Sequence, residues 1–167
     1  MIELATLEDL SQVELIMKSI KEEMRVEGNP QWGSTKEDYP SITKLLDDIN
    51  NKKMIKYVEN NTIKGIVSLA RDEAREYDGL LDNSEKDSFI IHRLAIPKEY
   101  RKQQIATKLI EYAEIHAKSN AINILKSSTE ESNLKMNNFF IKNGFIHKGQ
   151  YIYADYPGIY NYFEKEI

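Results

Sequence analysis

The chain has 167 residues, 41% hydrophobic and 30% charged, with a formal net charge of −4, which is enough apolar content for one domain with a proper core and too short for two. A net negative charge without a broad basic face argues against a nucleic-acid partner, whose phosphates would repel it. The absence of cysteine excludes disulfides, thiolate metal ligands and a Cys nucleophile, and the three histidines, His92, His116 and His147, are too scattered to suggest a metal site.

The opening residues, MIELATLEDL, carry acid where a secretory signal needs basic residues before an apolar run. No apolar run approaches membrane-spanning length, so a cytoplasmic location without a membrane partner is expected. Ile2 and Leu4 read as a short strand, and Thr6 with Asp9 forms a capping-box-like start for a helix whose inward face is Leu7, Leu10, Val13, Met17, Ile20 and Met24. That helix should stop near Gly28-Asn29-Pro30. A turn-rich aromatic segment, Gln31 to Pro40, follows, and Ser41 then opens a second helix with Ile42, Leu45, Leu46 and Ile49 facing inward.

Met54 to Glu59 and Thr62 to Ala70 are strand-like, joined by Asn60-Asn61, a good two-residue hairpin turn. Asp72 to Asp87 contains seven acidic against two basic residues and reads as a solvated connection. Phe89 to Ile96 is rich in β-branched and aromatic residues, Pro97 stops it, and Ala106, Leu109, Ile110, Ala113 and Ala117 then recur at helical spacing. A strand that hands over to a helix N-terminus leaves backbone N–H groups unpaired and favours anions, so a phosphate-bearing ligand is expected there. Asn120 should end this helix, and Ile122 to Lys126 should form a strand parallel to the one before it. Glu131 to Asn143 reads as a helix capped by Gly144, and Phe145 to Ala154 with Ile159 to Glu164 as a tyrosine-rich hairpin turning at Asp155-Tyr156-Pro157-Gly158. The order β-α-α-β-β-β-α-β-α-β-β predicts an α/β fold in which a mixed sheet carries helices on both faces.

Two blocks of this chain resemble the GNAT acetyltransferase superfamily. Leu94-Ala95-Ile96-Pro97 followed by Tyr100-Arg101-Lys102-Gln103-Gln104-Ile105-Ala106 is similar to the family's strand and its R/Q-x-x-G-x-G/A pyrophosphate loop. Asn133, eleven residues ahead of Gly144-Phe145, with Phe139, Phe140 and Lys142 between, is similar to the family's N-x-x-A-x-x-x-Y-x-K-x-G-F pattern. Gln31-Trp32, Tyr39-Pro40 and the final hairpin also look like a branch of small bacterial members, so the resemblance covers most of the chain.

The resemblance implies an N-acetyltransferase that uses acetyl-CoA on a primary amine of a small molecule or peptide, by direct attack in a ternary complex, acting as a monomer or homodimer. It places the CoA pyrophosphate on the amides of Lys102, Gln103, Gln104, Ile105, Ala106 and Thr107, with charge from Arg101, Lys102 and Lys108. It also implies that the two parallel strands splay at Leu94 to Ile96, where the pantetheine arm bonds exposed backbone at Leu94, Ala95 and Ile96 and meets Asn133 and Phe140. Three positions depart from the pattern: Gln104 replaces a glycine, Phe140 stands where many members have an acidic tyrosine, and the strand offers His92 instead of a carboxylate base. His92 is the candidate base and Tyr153 the candidate acid. For each, an ordinary sheet histidine or aromatic is the alternative reading. Trp32 and Tyr39 are candidates for the amine pocket, and no metal is expected. The substitutions at 104 and 140 leave a non-catalytic CoA-binding module as the rival, and the strand-turn-helix alone leaves other phosphate ligands open.

Overall fold

The computed structural model describes residues 1–33, 39–71, 87–153 and 157–167. The acidic connection up to residue 86, residues 154–156 at the start of the Asp155–Gly158 turn, and residues 34–38 of the aromatic segment therefore lie outside the described residues.

Ile2–Leu4 forms β1, a tight turn covers Leu7–Asp9, and the first long helix, α1, runs Leu10–Glu27. The Thr6 amide and hydroxyl both donate to Asp9 Oδ2, at 2.7 and 3.1 Å, and Lys56 Nζ reaches both oxygens of Asp9 at 2.7 Å. One carboxylate thus caps the turn and ties it to the neighbouring strand. Leu7 sits in that turn rather than on the helix and is 59% exposed, while Ile16 joins Val13, Met17 and Ile20 in the buried stripe. Starting the helix three residues later rotates its inward face. Gly28, in the left-handed region at φ 71°, ends α1.

At the start of the turn-rich segment, Pro30–Gly33 makes a single helical turn, α2. Ser41 accepts a hydrogen bond from the Lys44 amide at 3.3 Å and caps α3, Ile42–Asn50, whose inward residues are Leu45, Asp48 and Ile49. Ile42, in the first turn, faces outward at 46% exposure, contrary to expectation. β2 (Met54–Glu59) and β3 (Thr62–Arg71) form the expected hairpin, with Asn60 and Asn61 at φ 51° and 59°. These positive angles are those of a turn that matches strand twist.

β4 spans Phe89–Ala95, α4 Ile105–Ser119, β5 Ile124–Glu130, α5 Leu134–Lys142, β6 Ile146–Tyr151 and β7 Tyr160–Glu166. β5 begins later than expected because Ile122 is used to close α4, its amide bonding the Ala117 carbonyl at 3.0 Å. α5 likewise starts after its cap, Asn133. The strands form one sheet in the order β1-β2-β3-β4-β5-β7-β6, antiparallel except for the parallel pair β4–β5. Apart from the added short α2, the expected order and the mixed α/β architecture are what the chain adopts.

Two cores sandwich the sheet. α4 and α5 cover Val67, Leu69, Ile91, Leu125 and Phe163, and α1 and α3 cover Met54, Ile66 and Ala95 on the other face. Among the described residues no helix is long and apolar enough to cross a membrane, and no group of His, Asp and Glu could hold a metal ion.

One irregularity shapes the site. Ser68 pairs with His92 and Ile66 with Ala95, so one residue of β3 opposes two of β4, and Arg93 takes φ 51°. This bulge reverses the alternation of side chains along β4. Regular alternation along a strand would put His92 and Leu94 on one face and Arg93 on the other. Instead His92 and Arg93 face the α1/α3 side, where the paired Ser68 meets Asp48, and Leu94 packs with the α4/α5 core.

Candidate active site

The parallel pairing of β4 with β5 ends after Phe89–Leu125 and Ile90–Lys126, while β5 stays paired with β7 through Glu130. The two strands part four residues earlier than the expected Leu94, because the bulge at Arg93 swings β4 away. Ser127 Oγ bridges the fork by donating to the Ile91 carbonyl at 3.0 Å. A cleft of about 140 Å³ opens there. Ile91 to Leu94 and Ser127 to Thr129 form its sheet walls, and Asn133, Met136 and Phe140 of α5 line one side. Met24, Gln31, Trp32 and Tyr39 line the other, with Tyr153 and Tyr160 beyond them. Parallel strands that diverge at their carboxyl ends, each followed by a helix N-terminus, are a common place for a ligand in open α/β sheets.

Directly after β4 the chain turns through Lys98–Tyr100 and Arg101 to α4, with Lys102 at φ 63° and Gln104 at φ 61°. No acceptor among the described residues meets any of the six backbone N–H groups from Lys102 to Thr107; the first amide of α4 to find one is Lys108, bonded to the Gln104 carbonyl at 3.0 Å. Unpaired amides that converge at a helix start favour an anion. Gln104 is left-handed, a conformation that suits the glycine it replaces.

Arg101, expected to face phosphate, is employed otherwise. Its Nε donates to the Ile96 carbonyl at 3.0 Å and its two terminal nitrogens to the Glu23 carboxylate at 2.5 and 2.6 Å. This bidentate pair braces the turn against α1 and holds the Glu23 carboxyl below its ordinary range. The free amides and the exposed Lys102 remain for an anion, while the Lys108 ammonium lies over the Tyr57 ring, 5.5 Å from its centre.

On the α3 side, the buried Asp48 accepts from Ser68 Oγ at 2.7 Å and from Arg93 Nε at 2.5 Å, and Lys44 Nζ stands 3.4 Å from its other oxygen. Arg93 Nη1 donates to the Tyr39 hydroxyl at 2.7 Å. The arginine's ion-pair partner is thus on α3. His92 borders the cleft beside this group, and burial, followed by the positive charges of Arg93, Lys44 and Lys53, lowers its pKa to about 3. With its pKa lowered to that extent the imidazole is neutral at physiological pH.

Tyr153 lies edge-on between Tyr151 and Tyr160, ring centres 4.8 Å from each, and its hydroxyl is 3.2 Å from Ser128 Oγ across the cleft wall. Asn133 caps α5 through Oδ1, and Phe140 is 2% exposed and packs on Phe145 and Phe163. Of the candidate residues, Trp32, Tyr39, His92, Leu94, Asn133, Phe140 and Tyr153 meet around the one cleft. Ala95 points into the α1/α3 core, Ile96 packs on the α4/α5 core, and Lys102 to Thr107 form the turn beyond β4.

Three contributors are not among the site candidates that the sequence offers. Gln31 Oε1 accepts from Thr129 Oγ1 at 2.9 Å and from the Glu130 amide and Asn133 Nδ2 at 3.4 Å, joining α2 to the carboxyl end of β5. Asp48 interrupts an apolar helical stripe between Leu45 and Ile49, which is the signal that could have flagged it. Gly65 is an isolated glycine inside a strand, the usual mark of a close approach; a Cβ there would lie 2.4 Å from Ile96 Cδ1 and 2.9 Å from Ile105 Cγ2.

The sequence profile of the acetyltransferase (GNAT) family matches residues 17–145. No curated protein matches the chain in sequence. Among solved structures, a GNAT-family acetyltransferase from Streptococcus agalactiae superposes with a TM-score of 0.88 at 20% identity, over all of this chain and 95% of that one. A GNAT-family acetyltransferase from Listeria monocytogenes gives 0.79 at 15% identity, over 100% and 94%. The PaiA N-acetyltransferase of Thermoplasma acidophilum, in complex with coenzyme A, gives 0.69 at 21% identity, over 100% and 98%. At these identities the likeness establishes the shared fold.

Proposed function

The chain belongs to the GNAT acetyltransferase family and is an acyltransferase, and on that premise we propose that it moves an acetyl group from acetyl-CoA to a primary amine of a small molecule or peptide. The observation that carries this reading is the run of six acceptor-free amides, Lys102 to Thr107, directly after the strand end at which β4 and β5 part. The amides suit a pyrophosphate, and the fork leaves backbone open to an extended amide-bearing arm. Coenzyme A bound to the Thermoplasma acidophilum protein of the same fold supports the same choice of ligand.

Acetyl-CoA supplies the acetyl group as a thioester. The chain's own residues do the rest. Amides from Lys102 to Thr107, with Lys102 charge, hold the pyrophosphate, while Arg101 keeps the turn in place. Backbone at Leu94 to Ile96 and the side chains of Asn133 and Phe140 line the path of the arm, and an N–H at Leu94 or Ala95 polarises the carbonyl that gains negative charge. Trp32 and Tyr39 bound the acceptor's side of the cleft. His92, neutral, accepts a hydrogen bond from the attacking amine and orients it, and water removes the proton. Tyr153 donates a proton to the departing thiolate, a task Phe140 cannot perform.

The test is a thiol-release assay with acetyl-CoA and a panel of spermidine, amino acids, aminoglycosides and peptides, alongside thermal stabilisation by CoA, NAD and ATP. Stabilisation by CoA and turnover of at least one amine are expected. Stabilisation by CoA with no turnover of any amine would make the chain a non-catalytic CoA module; stabilisation by NAD or ATP but not CoA would remove the ligand assignment. His92→Ala should lower kcat/KM about tenfold, and the rising limb of the pH profile should follow the pKa of the amine itself. An inflection near 6.5 that vanishes in the variant would restore His92 as a titrating base.

A further inference from the structure

Arg93 carries more hydrogen-bonding capacity than its neighbours use. Of the five N–H groups of its guanidinium, Nε bonds Asp48 and one on Nη1 bonds Tyr39. The other three have no acceptor among the described residues, although the side chain is only 2% exposed and borders the cleft. The nitrogen that carries two of them is not sealed from solvent, so these donors open on the cleft, where a ligand's acceptor can take them.

The surrounding charge points the same way. Among the described residues lining the cleft, Arg93 is the one with a formal charge, and no Asp or Glu is present. Asp48 is the one carboxylate that pairs with the guanidinium among the described residues, and it is shared with Lys44, which also meets Asp47 at 3.3 Å. The nearby carboxylates of Glu130 and Glu164 do not line the cleft, and each accepts from a neighbouring hydroxyl, Ser132 and Tyr162. A polyamine or aminoglycoside would meet no counter-charge on these walls.

We propose that the free edge of the Arg93 guanidinium binds a carboxylate carried by the acceptor, which makes the acceptor an amino acid or another small amine with a carboxylate near the reacting nitrogen. Asp48 and Tyr39 fix the plane of the fork, and a carboxylate takes the remaining N–H groups. Arg93 is thus a specificity-determining residue beside His92, placed on the cleft side by the β4 bulge. The inference rests on the acetyltransferase reading.

The experiment compares matched amines at saturating acetyl-CoA: an amino acid, its carboxamide and its decarboxylated amine, with spermidine as the polycation. The amino acid should exceed the decarboxylated amine about tenfold or more in kcat/KM, with the amide between them. In Arg93→Lys, which retains a cation for Asp48 but loses the fork, that preference should shrink severalfold. Equal rates, or a preference for spermidine or the decarboxylated amine, would overturn the proposal and leave the acetyltransferase reading standing. Should Arg93→Lys fail to fold, the wild-type ratio decides alone. Should no amine turn over, calorimetry with an N-acetyl amino acid and its amide in the presence of CoA replaces the rate: binding that needs the carboxylate supports the anchor, and equal or absent binding overturns it.

Discussion

Gly65→Ala isolates the packing that holds the turn before α4, the proposed pyrophosphate site. The added methyl would lie 2.4 Å from Ile96 Cδ1, 2.9 Å from Ile105 Cγ2 and 3.4 Å from Leu109 Cδ1. Ile96 is half-buried and can swing its terminal methyl aside, but Ile105 is 2% exposed and branches at Cβ, so it yields only if the start of α4 moves. Over-packing of this kind costs about 1–3 kcal/mol. Reduced freedom of the unfolded chain returns roughly 0.4–1 kcal/mol, leaving a loss of about 1–2 kcal/mol. For a chain of this size that lowers Tm by about 2–8 °C. Because Ile105 is the first residue of α4, the same shift disturbs the amides from Lys102 to Thr107, and CoA affinity should fall about tenfold for each 1.4 kcal/mol transferred to the site. Thermal unfolding and calorimetric titration with CoA measure the two effects. Gly65→Ala with Ile96→Val, which removes the closest atom, should recover part of both. Unchanged Tm and unchanged CoA affinity in the single variant would refute the claim that close packing at Gly65 positions the turn.

Gln104→Gly relieves a left-handed backbone worth about 1 kcal/mol, offset by roughly 0.5–1 kcal/mol of glycine's freedom when unfolded; stability should change little while CoA binds more tightly, and unchanged or weaker binding by titration would contradict this. Arg101 holds the Glu23 carboxyl below its ordinary 4.5, so the bridge stabilises the fold above that value and is lost as pH falls through the depressed one. The Tm difference between wild type and Glu23→Gln should accordingly be present at neutral pH and close as pH drops below 4.5, and a pH-independent difference would show that charge is not its cause. Asp48→Ala strands a buried guanidinium and should cost about 3–5 kcal/mol in urea unfolding, whereas Asp48→Leu with Arg93→Met should recover most of it; equal losses in both would place the cost in packing instead.

Much of the fold was legible because its signals are local. Apolar alternation, the Asn60-Asn61 turn, the Thr6–Asp9 box and the Ser41 cap each act within a few residues, and each marks the element it predicts. Errors fell where an element's phase depends on something further away. Leu7 and Ile42 were assigned inward by periodicity, but both stand in first turns, where the helix has not yet packed on the sheet. The strand beginning at Ile124 and the helix beginning at Leu134 were each expected earlier because the caps that precede them have apolar or helix-compatible residues.

By itself the sequence determined the order of elements, the parallel pair β4–β5 separated by a helix, and the anion-seeking amides after the strand, since hydrophobic period and backbone valence require no distant partner. Tertiary structure alone decided which way the residues of β4 face. A bulge of one residue against β3 moves Arg93 to the same side as His92, sets its guanidinium on Asp48 of α3 and Tyr39, and turns Leu94 to the opposite core. Side-chain direction in a strand is inherited from register, and register is a property of the pair of strands rather than of either one.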